Sequence, residues 1–168
     1  EIIAAENLHV STGWMDVFAD FADPGFEQNE TIFTGAASAA AGGFTDVMVI
    51  PNTNPVVSAK AQVEYILKKS AGLAVNIYPI GAVTQNTQGS QLAEMYDMQH
   101  SGCIAFSDGI HALQDPGIIL KALQYVTAID KTIIQLPCHS SIGHNGLMNE
   151  GIMSTRLGLP GLPAVAEE

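Results

Sequence analysis

Five apolar runs rich in β-branched residues recur along the chain: Met15 to Phe21, Phe44 to Ile50, Leu73 to Ile80, Cys103 to Phe106 and Thr132 to Leu136. Their starts fall 29, 29, 30 and 29 residues apart, the pace of a strand, a loop, a helix and a second loop. Between the runs the apolar positions shift to helical spacing. The first such segment, Asn29 to Ala41, is Ala-rich and runs into Gly42-Gly43. The second starts near Ser58 as N-cap, sets Val63, Ile66 and Leu67 on one face and ends at Gly72, a residue suited to the left-handed turn after a helix. The third runs from about Ser90, buries Leu92 and Met95 and stops at Gly102. The fourth opens with Asp115-Pro116, an acidic N-cap followed by proline at the first helical position, and carries Ile119, Ala122, Leu123 and Val126 at helical spacing.

Strands such as Val47-Met48-Val49-Ile50, apolar on both faces, belong in a parallel sheet covered on both sides. The class is therefore α/β. A doubly wound sheet and a (β/α)8 barrel both fit the repetition. No GxGxxG or GxxxxGK[ST] follows any run, which weighs against a nucleotide-binding doubly wound sheet. Five units of an eightfold barrel occupy about this length, since whole barrels run to ~250 residues. The expected fold is the (β/α)8 TIM-barrel type, of which residues 14–168 supply about the first five βα units. Glu1 to Gly13 fall outside the period and read as an extended segment from something upstream, and the chain reads as a segment of a longer protein. Were these residues the whole protein, its open strand edges would call for a homo-oligomer that covers them.

Composition narrows the function. With 47% hydrophobic and 14% charged residues over 168 positions, the chain can bury a core, which excludes disorder and disulfide scaffolds. Six Lys and Arg against 17 Asp and Glu give a net charge of −11, repulsive to phosphate backbones and anionic lipid, so no nucleic acid and no membrane surface are expected as partners. No apolar run approaches the ~18 residues of a membrane span. Two cysteines, Cys103 and Cys138, each beside an apolar run, fit a reduced, cytoplasmic protein.

In both α/β architectures chemistry gathers beyond the carboxyl ends of the strands. The first run is followed by Asp20, Asp23, Pro24 and Gly25, the second by Pro51-Asn52-Thr53-Asn54-Pro55, the third by Thr84, Gln85 and Asn86, and the fourth by Ser107-Asp108-Gly109-Ile110-His111. The fifth leads into Cys138-His139-Ser140-Ser141, then His144 and Asn145. Asp20, Asp108 and His139 would converge at one mouth, and carboxylates with an imidazole suit zinc or manganese. No short ligand spacing such as HExxH supports that set, so loop-capping carboxylates and a hydrogen-bonded histidine are the competing reading. His9 and His100 read as surface residues, and His111 and His144 as solvated loop residues. Cys138 reads as a buried structural thiol rather than a thiolate partner of His139, because neighbouring strand residues point to opposite faces.

At these positions the chain resembles the dihydroorotase family of the amidohydrolase superfamily. The resemblance is carried by Asp23-Pro24-Gly25, ETIFTGAASAAAGGFTDVMVIPNTNP from Glu30 to Pro55, YPIGAVT from Tyr78 to Thr84, AFSD from Ala105 to Asp108, and MNEGIMSTRLGLPGLPAVAEE from Met148 to Glu168. It implies a family that closes carbamoyl aspartate to dihydroorotate, and reopens it, in pyrimidine biosynthesis. It also implies a metal-dependent (β/α)8 barrel with a small β-sandwich built from both chain ends, to which residues 1–13 would belong.

The resemblance breaks at the first strand. Active members carry His-x-His, then Arg two residues on, just ahead of a Pro-Gly pair. The matching line here puts Phe18 and Asp20 at the metal histidines and Ala22 at the substrate-binding arginine. Such a loss removes imidazole ligands and the cation that pairs with the substrate carboxylate. Elsewhere the resemblance makes Asn52 a substrate-contacting amide, Asp108 the strand-four carboxylate and His139 the strand-five metal histidine. The usual second Asp after Asp108 is Gly109. The general acid and base, an Asp of a later barrel strand, is expected beyond Glu168.

Three readings follow. The first is a catalytically impaired homologue with a scaffold or regulatory role, for which the resemblance implies aspartate transcarbamoylase as partner. The second is an active cyclic amidohydrolase that holds one cation on Asp20, Asp108 and His139. The third is a degenerating copy with no retained role.

Overall fold

The computed structural model describes residues 7, 9–143 and 146–167. Most of the N-terminal segment, and both His144 and Asn145, lie outside the described residues; residues 9–13 take no regular structure. Five strands, β1 (Trp14–Ala19), β2 (Phe44–Val49), β3 (Asn76–Gly81), β4 (Ala105–Phe106) and β5 (Thr132–Ile133), alternate with helices α1 (Ile32–Ala41), α2 (Lys60–Ser70), α3 (Met95–His100) and α4 (Pro116–Ala128). All four strand pairings are parallel and the order in the sheet is the order in the chain, β1-β2-β3-β4-β5. A doubly wound sheet needs a reversal in strand order; this sheet has none. It is an α/β half-barrel of five βα units. Beyond it, β6 (Met148–Asn149), α5 (Ile152–Leu157) and β7 (Gly161–Leu162) form a small two-stranded appendage.

The alternation along each strand sorts the core into two layers. Val47, Val49, Ile77, Cys103 and Phe106 pack with Ile32, Ala36, Val63, Ile66, Ala122 and Val126 from the helices. The intervening positions, Met48, Ile50, Tyr78, Ile80, Ile104, Ala105 and Ile134, form a second cluster on the opposite face, which lines the inside of the barrel. Full burial places the Cys103 thiol in this core and pushes its pKa up to about 12, so it is an inert packing residue.

Each helix start has a local cause. Thr31 caps α1, its hydroxyl accepting from the Thr34 amide at 3.1 Å, and Asp115 caps α4, accepting from Gly117 at 2.7 Å with Pro116 at the first position. Gly35 admits the Phe21 ring, since a Cβ there would stand 2.7 Å from it. Three helix starts differ from expectation. Helix α1 begins at Ile32, behind its Thr31 cap, rather than at Asn29, whose amide closes a turn onto the Phe26 carbonyl. The N-cap of α2 is Ala59, with no side-chain bond, rather than Ser58. Helix α3 begins at Met95 rather than near Ser90, because Leu92 is taken into an antiparallel bridge with Thr84 and Ala93 donates to the Val83 carbonyl. The fifth run is strand only over Thr132–Ile133, and Leu123 of α4 stays largely exposed, whereas Ala122 and Val126 are buried.

Candidate functional site

The loops after β2, β3 and β4 are knitted together by their own polar side chains. Asp108, just past β4, is 1% exposed. Its Oδ1 accepts from the amides of Val83 and Thr84, both at 2.9 Å, and its Oδ2 accepts from the Thr84 hydroxyl. Thr84 Oγ1 in turn accepts from Gly89 at 2.9 Å. Burial pushes the Asp108 carboxyl up, and the Thr84 and Val83 bonds only partly oppose it, so its pKa lies above the ordinary value.

Asn52, in the rigid Pro51–Pro55 loop after β2, reaches the same place from the other side. Its Nδ2 donates to the Asp108 carbonyl at 3.2 Å and its Oδ1 accepts from the Ile110 amide at 3.1 Å. The ends of β2, β3 and β4 are thereby joined through one amide, one carboxylate and one hydroxyl.

The three candidate metal ligands occupy different ground. Asp20 borders a cleft between β1 and α1 with Asp16, Glu30 and Ser38, and accepts from the Ala22 amide at 2.8 Å. Asp108 lies at the floor of a cleft lined by Thr87, His111 and Asp115. His139 is exposed and borders a neighbouring cleft of about 440 Å³ with Cys138, Ile142 and Val165; its Nδ1 pairs with Ser141 Oγ at 2.9 Å. The clefts of Asp108 and His139 share Leu113 and Gln114, whereas that of Asp20 shares nothing with either. Among the described residues no three His, Cys, Asp or Glu side chains gather closely enough to hold a metal ion. The donor chemistry agrees: three hydrogen-bond donors already occupy the Asp108 carboxylate. The described residues therefore do not fit the metal that the resemblance implies.

The other histidines and the second cysteine are also placed. His9, His100 and His111 are exposed, the His100 ring bonding the Tyr96 carbonyl at 3.0 Å. Cys138 is half-buried.

One polar knot was not visible in the sequence. Asp23, in the loop after β1, is 2% exposed and pairs with Lys69 of α2 at 2.8 Å. It also accepts from Tyr65 OH at 3.1 Å and from the first amide of α1, Ile32, at 3.0 Å. Lys69 stacks within 5.1 Å of the Tyr65 ring centroid. Tyr65 and Lys69 stand one helical turn apart, the sole local signal that they act together.

The β-strand order and the polar mouth can be set beside known proteins. A family model described as dihydro-orotase-like matches residues 9–168. The dihydroorotase of Pelotomaculum thermopropionicum is 43% identical over 170 residues, covering 100% of this chain and 39% of that protein. That of Desulfotalea psychrophila is 41% identical over 158 residues, covering 94% and 38%. The chain thus spans about two fifths of the length of these relatives. Among solved structures, an L-hydantoinase (dihydropyrimidinase) from Arthrobacter aurescens superposes with a TM-score of 0.65 over 78% of this chain and 30% of its own, at 20% identity, which bears on the fold alone. Among the described residues no helix is long and apolar enough to cross a membrane. With a family match over almost its whole length and relatives above 40% identity, the chain belongs to the dihydro-orotase-like family.

Proposed function

We propose that this chain is part of a dihydroorotase-like protein of pyrimidine biosynthesis whose catalytic site is impaired and whose role is to hold or regulate a partner. One observation carries the reading: Asn52 and Asp108, the amide and carboxylate that the resemblance would assign to substrate and metal, are engaged with the backbone of neighbouring loops, Asn52 with Asp108 and Ile110, and Asp108 with Val83 and Thr84. Phe18, Asp20 and Ala22 at the positions of the two imidazoles and the arginine support it, since hydrolysis of a ring amide at neutral pH relies on a metal to generate hydroxide. An active enzyme holding one cation on Asp20, Asp108 and His139 requires those side chains to share a space, and they border separate clefts. A scaffold role would be exercised on aspartate transcarbamoylase, which co-purification tests.

The deciding experiment measures metal per chain in the full natural protein, purified with zinc and manganese supplied and then dialysed, together with turnover of dihydroorotate and carbamoyl aspartate. Folded protein with neither metal nor turnover is the expected result. Near-stoichiometric metal that is lost in His139→Ala or Asp108→Asn, with turnover in the parent, overturns the proposal.

A further inference from the structure

We infer that Asn52 is a latch for the loop after β4, and that this latch and any side chain at position 109 exclude one another. The inference deepens the reading of an impaired site, and rests on it, by naming how the site is held shut to the family's acid. The carboxamide spans Gly109: its Nδ2 holds the carbonyl before that residue and its Oδ1 holds the amide after it, at 3.2 and 3.1 Å. Gly109 is itself buried, sits at φ +63°, and donates to Ser107 Oγ at 2.9 Å. A Cβ at 109 would stand 1.6 Å from Asn52 Oδ1 and 2.7 Å from its Cγ. A free side-chain end could swing away from such a clash. Asn52 cannot do so without surrendering both hydrogen bonds, and the loop cannot yield easily because Asp108 is tied to Val83 and Thr84.

The departure at Gly109 and the retained amide of Asn52, which look independent in the sequence, are therefore coupled. Glycine at 109, where the resemblance expects a second aspartate, gives the amide its position, and the amide so placed takes its orientation from the loop rather than from a ligand. Restoring an acid at 109 displaces Asn52, and releasing Asn52 makes room at 109.

The test uses the full natural protein and reads amide hydrogen exchange at Ile110 in the parent, Asn52→Ala, Gly109→Ala and the double variant, with the metal content of each sample. Loss of the carboxamide is expected to speed exchange at Ile110 about tenfold. Gly109→Ala speeds it by a similar factor, and adding it to Asn52→Ala brings little further change, because the clash has lost its partner. The strain of alanine at positive φ is common to both backgrounds and cancels in the cycle. Multiplicative effects of the two substitutions, or an Ile110 amide indifferent to Asn52→Ala, overturn the latch. Should the alanine variant fail to fold, Asn52→Asp, which keeps an acceptor for Ile110 but sets an oxygen against the Asp108 carbonyl, is expected to lose much of the protection; full protection in that variant also overturns the latch. Stoichiometric zinc or manganese in a parent protein whose Ile110 amide is protected overturns the impaired-site reading and leaves the latch standing.

Discussion

Asp23 and Asp108 are two carboxylates withdrawn from water almost equally, one in the loop after β1 and the other in the loop after β4. Each accepts hydrogen bonds from backbone and side chain, yet their acidities are displaced in opposite directions. Burial pushes the Asp23 carboxyl up, but the bonds from Lys69, Ile32 and Tyr65 together outweigh it and hold the pKa below the ordinary value. Lys69 answers in kind: burial pushes its ammonium down, and the bonds to Asp23 and Tyr65 more than restore it. Asp108 has two amides and a hydroxyl but no cation bonded to it, and burial wins. The comparison sets two causes side by side: burial weighs more on Asp108, and Asp23 has an ammonium where Asp108 accepts from neutral donors only. It also marks Asp108 as a joint between strand ends, and Asp23 as a joint between the β1 loop and two helices.

The comparison breaks first at Asp108. Alanine there strands three buried donors, the Val83 and Thr84 amides and the Thr84 hydroxyl, at about 1–3 kcal/mol each before relaxation, so Asp108→Ala is expected to cost about 4 kcal/mol of unfolding free energy. Asparagine keeps an acceptor for the amides but presents Nδ2 to Thr84 Oγ1, whose proton then loses its acceptor, so Asp108→Asn costs about 1–2 kcal/mol. Urea unfolding of the full natural protein separates the two. Equal, large losses from both variants mean that the charge itself is needed, and the contrast with Asp23 falls.

Next in size is Lys69→Met. It keeps an apolar side chain of similar length, without the Nζ that sits over the Phe33 and Tyr65 rings, and leaves Asp23 buried without its cation, an arrangement that typically costs about 3 kcal/mol when one partner of a buried pair is removed. The variant also converts Asp23 into a second Asp108, held by a backbone amide and a hydroxyl alone. Its acidity should then move from below to above the ordinary value, which NMR titration of the carboxyl carbon detects. An Asp23 that stays strongly acidic in Lys69→Met shows that the Ile32 and Tyr65 bonds, not the ammonium, set its ionisation.

These two joints also show what was legible in the sequence. The strands and the helix ends at Gly72, Gly102 and Asp115-Pro116 follow from patterns within one βα unit, where burial parity and capping chemistry act over a few residues, whereas the repetition alone left the strand order open between a doubly wound sheet and a barrel. The start of α3 was not legible, because Ser90 and Leu92 carry a helical pattern that the bridge to Thr84 overrides. The site was legible as a set of residue types at strand ends, and Asp108 and Asn52 do stand where expected. Their partners were not. Asp23 finds Lys69 across two elements, and Asn52 finds Ile110 across two βα units. Such pairings depend on how far each loop leans over its neighbour, which no local spacing encodes. The same residue types therefore read as a metal and substrate mouth in the sequence and as knots of hydrogen bonds in the structure.

The smallest effect, and the most discriminating, is the pH dependence of the two joints. For Asp23 the folded pKa lies below the unfolded value of about 3.9, so its contribution is present above that pH and is lost as pH falls through the folded pKa. The advantage of the parent protein over Asp23→Asn should therefore shrink on acidification. For Asp108 the folded pKa lies above the unfolded value, so the protonated form favours the fold and the contribution fades as pH rises from about 3.9 through the folded pKa. The parent should then lose ground to Asp108→Asn over that rising window and hold steady above it. Urea midpoints of the three proteins across the acid range give both slopes in one series. Opposite slopes keep the distinction between a carboxylate held by a cation and one held by neutral donors. Parallel slopes mean that Asp108 has a cationic partner, and the joint at the mouth of the half-barrel is then an ion pair like the one at Asp23.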